Sequence, residues 1–430
     1  MADNANRRRG TLTRRGLLGA ATAALAGCTA LDGVTGDDEP TVEAYGLPDV
    51  GRNDSPESPV PPAVPVDVPS GAFTEGRTRV TDLLSELPLP LGPDEIPNGH
   101  VRAELTHQVE HATDGLDDAL TAPSQLAALH SLGHAREAAR YAAAGWAYAD
   151  NGLTAATMAQ ALARVRSAAR TTRWDHEYVG TDPVTAAVVH AEIEEALADA
   201  VRTHPPGGEE TALLTVAEWG ETVESAAASL DAARYLRDAY PGSVPDGGDT
   251  VESALTAAAA DRIAAARRRR SDLPPEPTAD SRTLSRLVRR ELRYAAEDGL
   301  ADLEDADGPA SAVVDANREL AAIEAYERVR RRHEAGDITL PETADGVRDR
   351  RQRAIDTLTS ALRESPTPAL LRTALVRPAN RVVRADRELA RLEGEVPVSR
   401  LDHPLAEYEV ATAVAEAAPS TTERTVSALR

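Results

Sequence analysis

Glu104, His107, His111, His130, His134 and Glu137 stand in mirror order. The stretch ELTHQVEHATDGLDDALTAPSQLAALHSLGHARE enters as Glu-x-x-His-x-x-x-His and leaves as His-x-x-x-His-x-x-Glu. The pairs Glu104/Glu137, His107/His134 and His111/His130 share one midpoint, between Leu120 and Thr121. Imidazoles four residues apart share a helix face, so each His pair can ligate one ion. Imidazole suits zinc, copper, iron and nickel, and a carboxylate one turn away can ligate or orient a ring N–H. The six residues are therefore candidate transition-metal ligands (Zn, Cu or Fe), with Glu104 and Glu137 as ligands or outer partners. The competing reading is two solvated rows of imidazole.

Such a site needs two helices turned on each other. Helices over 99–120 and 124–150, joined at Thr121-Ala122-Pro123, place His111 and His130 about 14 Å from the turn and His107 and His134 about 20 Å from it. Depth therefore matches, but rotation is open. On the first helix the His row lies away from the apolar stripe of Val101, Leu105, Val109 and Leu116; on the second it shares a face with Leu126, Ala144 and Tyr148. If the first stripe packs on the second helix, the His pairs part; if it packs elsewhere, they meet.

Two short resemblances bear on this. Glu-x-x-His is similar to the spacing in carboxylate-bridged di-metal bundles, which implies a di-metal oxidase drawing ligands from four helices. Here a second helix pair offers only His176 and His190-x-x-x-Glu194, the latter beside Leu197 and Val201 on an apolar-looking face. Gly133-His134-Ala135-Arg136-Glu137 resembles the Gly-x-His-x-x-Glu signature of imelysin-type extracytoplasmic helical proteins linked to metal uptake, with the Gly–His spacing one residue short.

Other clusters are less pointed. Trp174-Asp175-His176-Glu177-Tyr178 mixes titratable and aromatic groups at a helix end, either lining a pocket or capping. Arg267–Arg270, Arg289-Arg290, Arg330–Arg332 with His333, and Arg348–Arg353 suit an anion or lipid headgroup. They equally suit a solvated face paired with Glu and Asp, the favoured reading. No serine elbow, phosphate loop or dinucleotide fingerprint occurs.

The chain of 430 residues carries 47 basic residues, all Arg, against 70 Asp plus Glu. Lys-free, acidic, Ala-rich composition resembles that of proteins from extreme halophiles. The acid excess excludes nucleic acid as partner, because that binding rests on neutralised phosphates. The one Cys is Cys28. The body therefore has no disulfide, thiolate nucleophile or Cys ligand, and without Lys no Schiff base.

The N-terminus reads as an address. Arg14-Arg15 before Gly16-Leu17-Leu18 resembles a twin-arginine export signal, and Leu25-Ala26-Gly27-Cys28 a lipobox. Those resemblances imply export, lipid on Cys28, and anchoring at the extracytoplasmic face of the membrane. The apolar run from Leu17 to Ala26 is too short to span a bilayer. Loss of residues 1–27 would leave 69 acidic and 42 basic residues, a formal charge of −27.

Residues 28–71, rich in Pro and Asp, are expected as a disordered tether. Thereafter Ala, Leu, Glu and Arg in helical periodicity, punctuated by Pro and Gly, predict an all-α body. Helices are expected over 72–87, 99–120, 124–150, 153–178, 183–204, 209–239, 249–271, 279–298, 309–335, 342–364, 367–393 and 402–418. Short connections imply antiparallel bundles. The break at Tyr240–Asp249 divides an N-terminal bundle (72–240) from a C-terminal one (249–418). Three functions remain: a lipid-anchored metal-binding protein, a non-catalytic cell-surface interaction scaffold with a protein partner, and a di-metal oxidase.

Overall fold

The computed structural model describes residues 40–50, 57–207, 211–244, 249–274, 283–304, 306–336 and 338–430. Arg14, Arg15 and Cys28 lie outside them. The body is all-α, with twelve α-helices among the described residues: α1 (Ser70–Ser85), α2 (Gly99–Thr121), α3 (Gln125–Asn151), α4 (Ala155–Trp174), α5 (Pro183–Arg202), α6 (Ala212–Ser243), α7 (Glu252–Ser271), α8 (Leu284–Glu304), α9 (Pro309–Glu334), α10 (Ala344–Glu364), α11 (Pro368–Leu389) and α12 (Asp402–Leu429). None of these is long and apolar enough to cross a membrane.

Local chemistry sets most helix ends. Ser124 Oγ accepts from Ala127 N–H at the start of α3. Asp182 accepts from Val184 and Thr185 N–H at the start of α5, with Pro183 at the first helical position. Gly152 ends α3 in the left-handed region, at φ 74°. The end of α12 departs most from expectation: the helix expected over 402–418 runs through Pro419 to Leu429, because its last turns are buried. Asn317 of α9 donates to Thr422 Oγ1 (3.2 Å) and accepts from Thr425 Oγ1 (3.0 Å). Tertiary packing there outweighs the one backbone bond that a proline removes.

The described part of the expected tether, residues 40–50 and 57–71, belongs to the body. Strand β1 (Thr41–Glu43) pairs antiparallel with β4 (Glu395–Pro397), Val42 opposite Val396. Val60 is buried against the C-terminal helices. Val66 and Val68 are buried in a second core, and Val68 N–H donates to Gln125 Oε1 (2.8 Å). A few Val side chains with sites to fill are enough to order a Pro-rich segment.

The helices before and after Tyr240–Asp249 share a core. Around α3 gather α1, α2 and α6; around α12 gather α8, α9, α10 and α11. Between them, Val188, Ile193 and Leu197 of α5 pack with Val313 and Val314 of α9, Leu370 of α11 and Leu429 of α12. Strands β2 (Val179–Gly180) and β3 (Asp249–Thr250) pair across the same junction. Pro40–Arg430 is one compact unit.

Small side chains bring helices close. A Cβ at Gly220 of α6 would meet Ala144 Cβ of α3 and lie 3.1 Å from the Arg140 carbonyl oxygen. Overpacking there forces backbone shifts costing about 1–3 kcal/mol. Gly220→Ala is therefore expected to lower the urea midpoint of unfolding by that equivalent; an unchanged midpoint would refute this close packing.

Candidate functional site

The α2–α3 hairpin forms as expected, but its imidazole rows part. Val101, Leu105 and Ala112 of α2 are buried, packing in clusters with Tyr141 and with Ala135, Ala138, Ala139 and Ala142 of α3. Thus the apolar stripe of α2 takes α3, and the His row opposite it faces away. His107, His111, His130 and His134 are all exposed. His107 packs on His111 (ring centroids 4.0 Å), and Glu104 accepts from Gln108 Nε2 (3.1 Å). His130 Nε2 lies 3.4 Å from Glu192 of α5, and His134 Nδ1 lies 3.3 Å from Glu137. His111, His134 and Glu137 border a common groove, of about 410 Å³. Among the described residues no group of three or more His, Cys, Asp or Glu is placed to hold a metal ion. The six residues therefore do not gather around one point, the cause being the rotation of α2.

His190 and Glu194 converge instead with His176 and Tyr178. Both lie on the buried face of α5, at 1% and 3% exposure. His190 Nε2–H donates to the Val179 carbonyl (2.9 Å), which leaves Nδ1 to accept from His176 Nε2–H at 3.1 Å. Tyr178 and Tyr240 close edge-on around the His190 ring. A pocket of about 330 Å³ opens beside the pair, lined by Asp175, Glu177 and Arg237. Burial, then the facing His190 and Arg237, pushes His176 down to about 4. His190 is lowered too, by burial. The pair is neutral at pH 7. The di-metal oxidase reading required His190 and Glu194 to meet the mirror; His190 faces this separate pocket, and Glu194 turns to α9.

Glu194 has a structural partner. Its carboxylate accepts Tyr178 O–H (2.7 Å), Ser311 N–H (2.6 Å) and Ala310 N–H (3.2 Å), capping the first turn of α9 from the other half. Gly308 permits this approach, since a Cβ there would collide with the carboxylate. Arg202 adds a two-pronged pair with Asp307 (2.7 and 2.9 Å), and Arg173 donates to the Asp307 carbonyl.

A cleft of about 780 Å³ lies between α3, α5 and α6 on one side and α9 and α11 on the other. Its floor holds Leu126, Leu129, Val188 and Leu236, all buried. His130, His134 and Glu137 reach its rim, so half of the mirror serves as a border. Glu192, Glu195 and Asp199 line the α5 wall. Burial and neighbouring acids hold Glu195 and Asp199 above the usual carboxylate range. Arg372 of α11 lines the opposite side.

Arg372 was not among the residues singled out in the sequence. Its signal is negative. Residues 365–385 hold four Arg and no Asp or Glu. The Arg clusters that were singled out are largely paired: Arg269 with Glu324 and Glu327, Arg332 and Arg350 with Glu409, Arg351 with Asp386. This bears on the anion surface proposed for them, whose charge is met internally.

Two outcomes are expected. Glu194→Ala leaves the first N–H groups of α9 unpaired and lowers stability by about 1–3 kcal/mol, measured by urea unfolding. For His176, the unfolded chain takes up a proton near pH 6.5 that the native chain refuses until about 4. Its contribution is therefore complete above pH 6.5 and lost as pH falls toward 4, about 2–3 kcal/mol in all. Burial holds the Glu194 carboxyl above its ordinary range, which acts with opposite sign. Comparison with His176→Gln isolates the imidazole: the variant should lose less stability than wild type between pH 7 and pH 5. Equal losses would contradict the buried neutral pair.

Comparison with known proteins follows the same division of the chain. Residues 71–246 match the family model described as Domain of unknown function (DUF8262), and residues 252–427 match Domain of unknown function (DUF8264). No curated protein and no solved structure gives a match. The chain is thus similar, half by half, to two domain families that meet between α6 and α7.

Proposed function

We propose that this protein is a lipid-anchored, non-catalytic binding scaffold at the extracytoplasmic face of the membrane, and that the cleft between its helical halves receives its ligand. One observation carries the reading: a concavity of about 780 Å³ between two helix sets that share a core. Ligand sites favour such junctions and are commonly of this size. The address rests on Arg14-Arg15 and on Leu25–Cys28, and the acid-rich, Lys-free composition supports a high-salt setting. A second reading is favoured by the groove that His111, His134 and Glu137 share. A transition metal would draw these three together. Zinc titration of untagged protein against the His111→Ala/His134→Ala variant decides it, since equal uptake by both removes the idea.

Two experiments test the main reading. Wild-type protein should partition with the membrane and into detergent, and Cys28→Ser should be released to the aqueous phase; a variant that stays with the membrane refutes lipid anchoring. Native mass spectrometry of protein extracted from its own membranes should show mass beyond the lipidated chain. That mass should vanish in Ala228→Trp, a substitution that fills the cleft. No excess mass in wild type would sink the binding reading.

A further inference from the structure

We infer that the cleft binds a small organic monocarboxylate with an apolar tail, its carboxylate on Arg372 and its tail on the floor formed by Leu126, Leu129, Val188 and Leu236. This deepens the proposal above and rests on the cleft being the binding site.

The head position follows from an imbalance. Arg372 is half-buried on the cleft wall, and its one hydrogen bond among the described residues goes from Nη1 to the Pro61 carbonyl oxygen (3.0 Å). A guanidinium carries five N–H donors, and its Nε/Nη2 edge is the fork that grips a carboxylate. That edge has no protein partner among the described residues. Burial lowers the pKa of Arg372, and no acidic group offsets the effect. In a chain with 70 acidic and 47 basic residues, a desolvated Arg without a carboxylate is a cation left for something else. Its position agrees with this, within a stretch of 21 residues that has no acid at all.

The rest of the ligand follows from the other surfaces. Glu192, Glu195 and Asp199 face the same space from α5, and Glu137 stands at the rim. These repel a second negative charge, which disfavours phosphates and dicarboxylates and leaves a single carboxylate. Arg318 is engaged by Asp315 (2.8 Å) and the Thr373 carbonyl (3.0 Å), and Arg202 by Asp307, so neither competes for the head. Ala196, Ala232 and Val376 extend the apolar surface around the four floor residues. An aliphatic tail of several carbons gains there about 0.8 kcal/mol per buried CH₂.

Calorimetry with sodium octanoate, octanol and inorganic phosphate tests this on the folded chain. Octanoate should bind wild type at least tenfold more tightly than octanol, and phosphate should not displace it. Arg372→Gln should weaken octanoate at least tenfold and leave octanol unchanged. Arg372→Lys, which keeps the charge, should recover part of the loss, and circular dichroism should show both variants folded. Octanoate failing to bind, binding Arg372→Gln as tightly as wild type, or yielding to phosphate would each overturn the assignment. If octanol binds as well as octanoate and Ala228→Trp abolishes both, the carboxylate is wrong while the cleft reading stands. If the protein from its own membranes also carries no extra mass, both fail.

Discussion

A buried carboxylate on one helix holding the first turn of another is the contact on which the body depends. Glu194 sits at 3% exposure, where an unpartnered charge is costly. It is tolerated because Ser311 and Ala310 N–H and Tyr178 O–H all point at it. Those N–H groups lack partners within α9, so each side satisfies the other. The same contact orients α5, and with it the wall of acids on one side of the cleft. It also fixes Tyr178, which packs edge-on against His190. The neutral imidazole pair and the helix cap are thus joined through Tyr178, whose ring packs on the pair while its hydroxyl donates to the capping carboxylate.

Around that assembly the body is built from small residues and paired charges. Alanines at 0–1% exposure fill the α2–α3 and α9–α12 contacts, and close approach does the work that aromatic side chains do elsewhere. Arg is the only strong cation available, and its planar fork suits bidentate pairing inside the fold. Arg351 grips Asp386 through two bonds of 2.8 Å while Tyr408 donates to the same carboxylate. Arg79 and Arg136 meet on Glu224, which is held below the usual carboxylate range. A surface acid excess therefore coexists with an interior in which many acids are matched.

Much of this was legible in the residues, and the misses have physical reasons. The helices follow the caps and breakers: Ser124, Asp182-Pro183 and Gly152 mark ends locally, and local signals survive folding. The end of α12 beyond residue 418 was not legible, because it depends on Asn317, about a hundred residues away. The histidine mirror gave the right hairpin but not the depth, since Gly115 lies against Ala135 and Gly145 against Leu105, a pairing centred some four residues beyond the mirror's midpoint. It could not give rotation, which is set by whichever neighbour takes the stripe of Val101 and Leu105. Tyr178, His176, His190 and Glu194 were visible as candidates, but the turn joining α4 to α5 decides that they face one another. Arg372 carries no motif. What marks it is a missing acid, detectable only against a chain this rich in them.

The last turn of α12 has a consequence for the order in which the body can be assembled. Val426 and Leu429 lie in the same core as Val188 and Ile193, more than 230 positions earlier. Strand β1 likewise waits for β4, some 350 positions later. Contacts of such separation close late, because loop entropy must be overcome before they reward the chain. A ribosome that has delivered only the first six helices has therefore made a bundle still missing part of its own interior, with Glu194 facing no helix end. Both halves reach completion together, and neither does before α12 has been delivered.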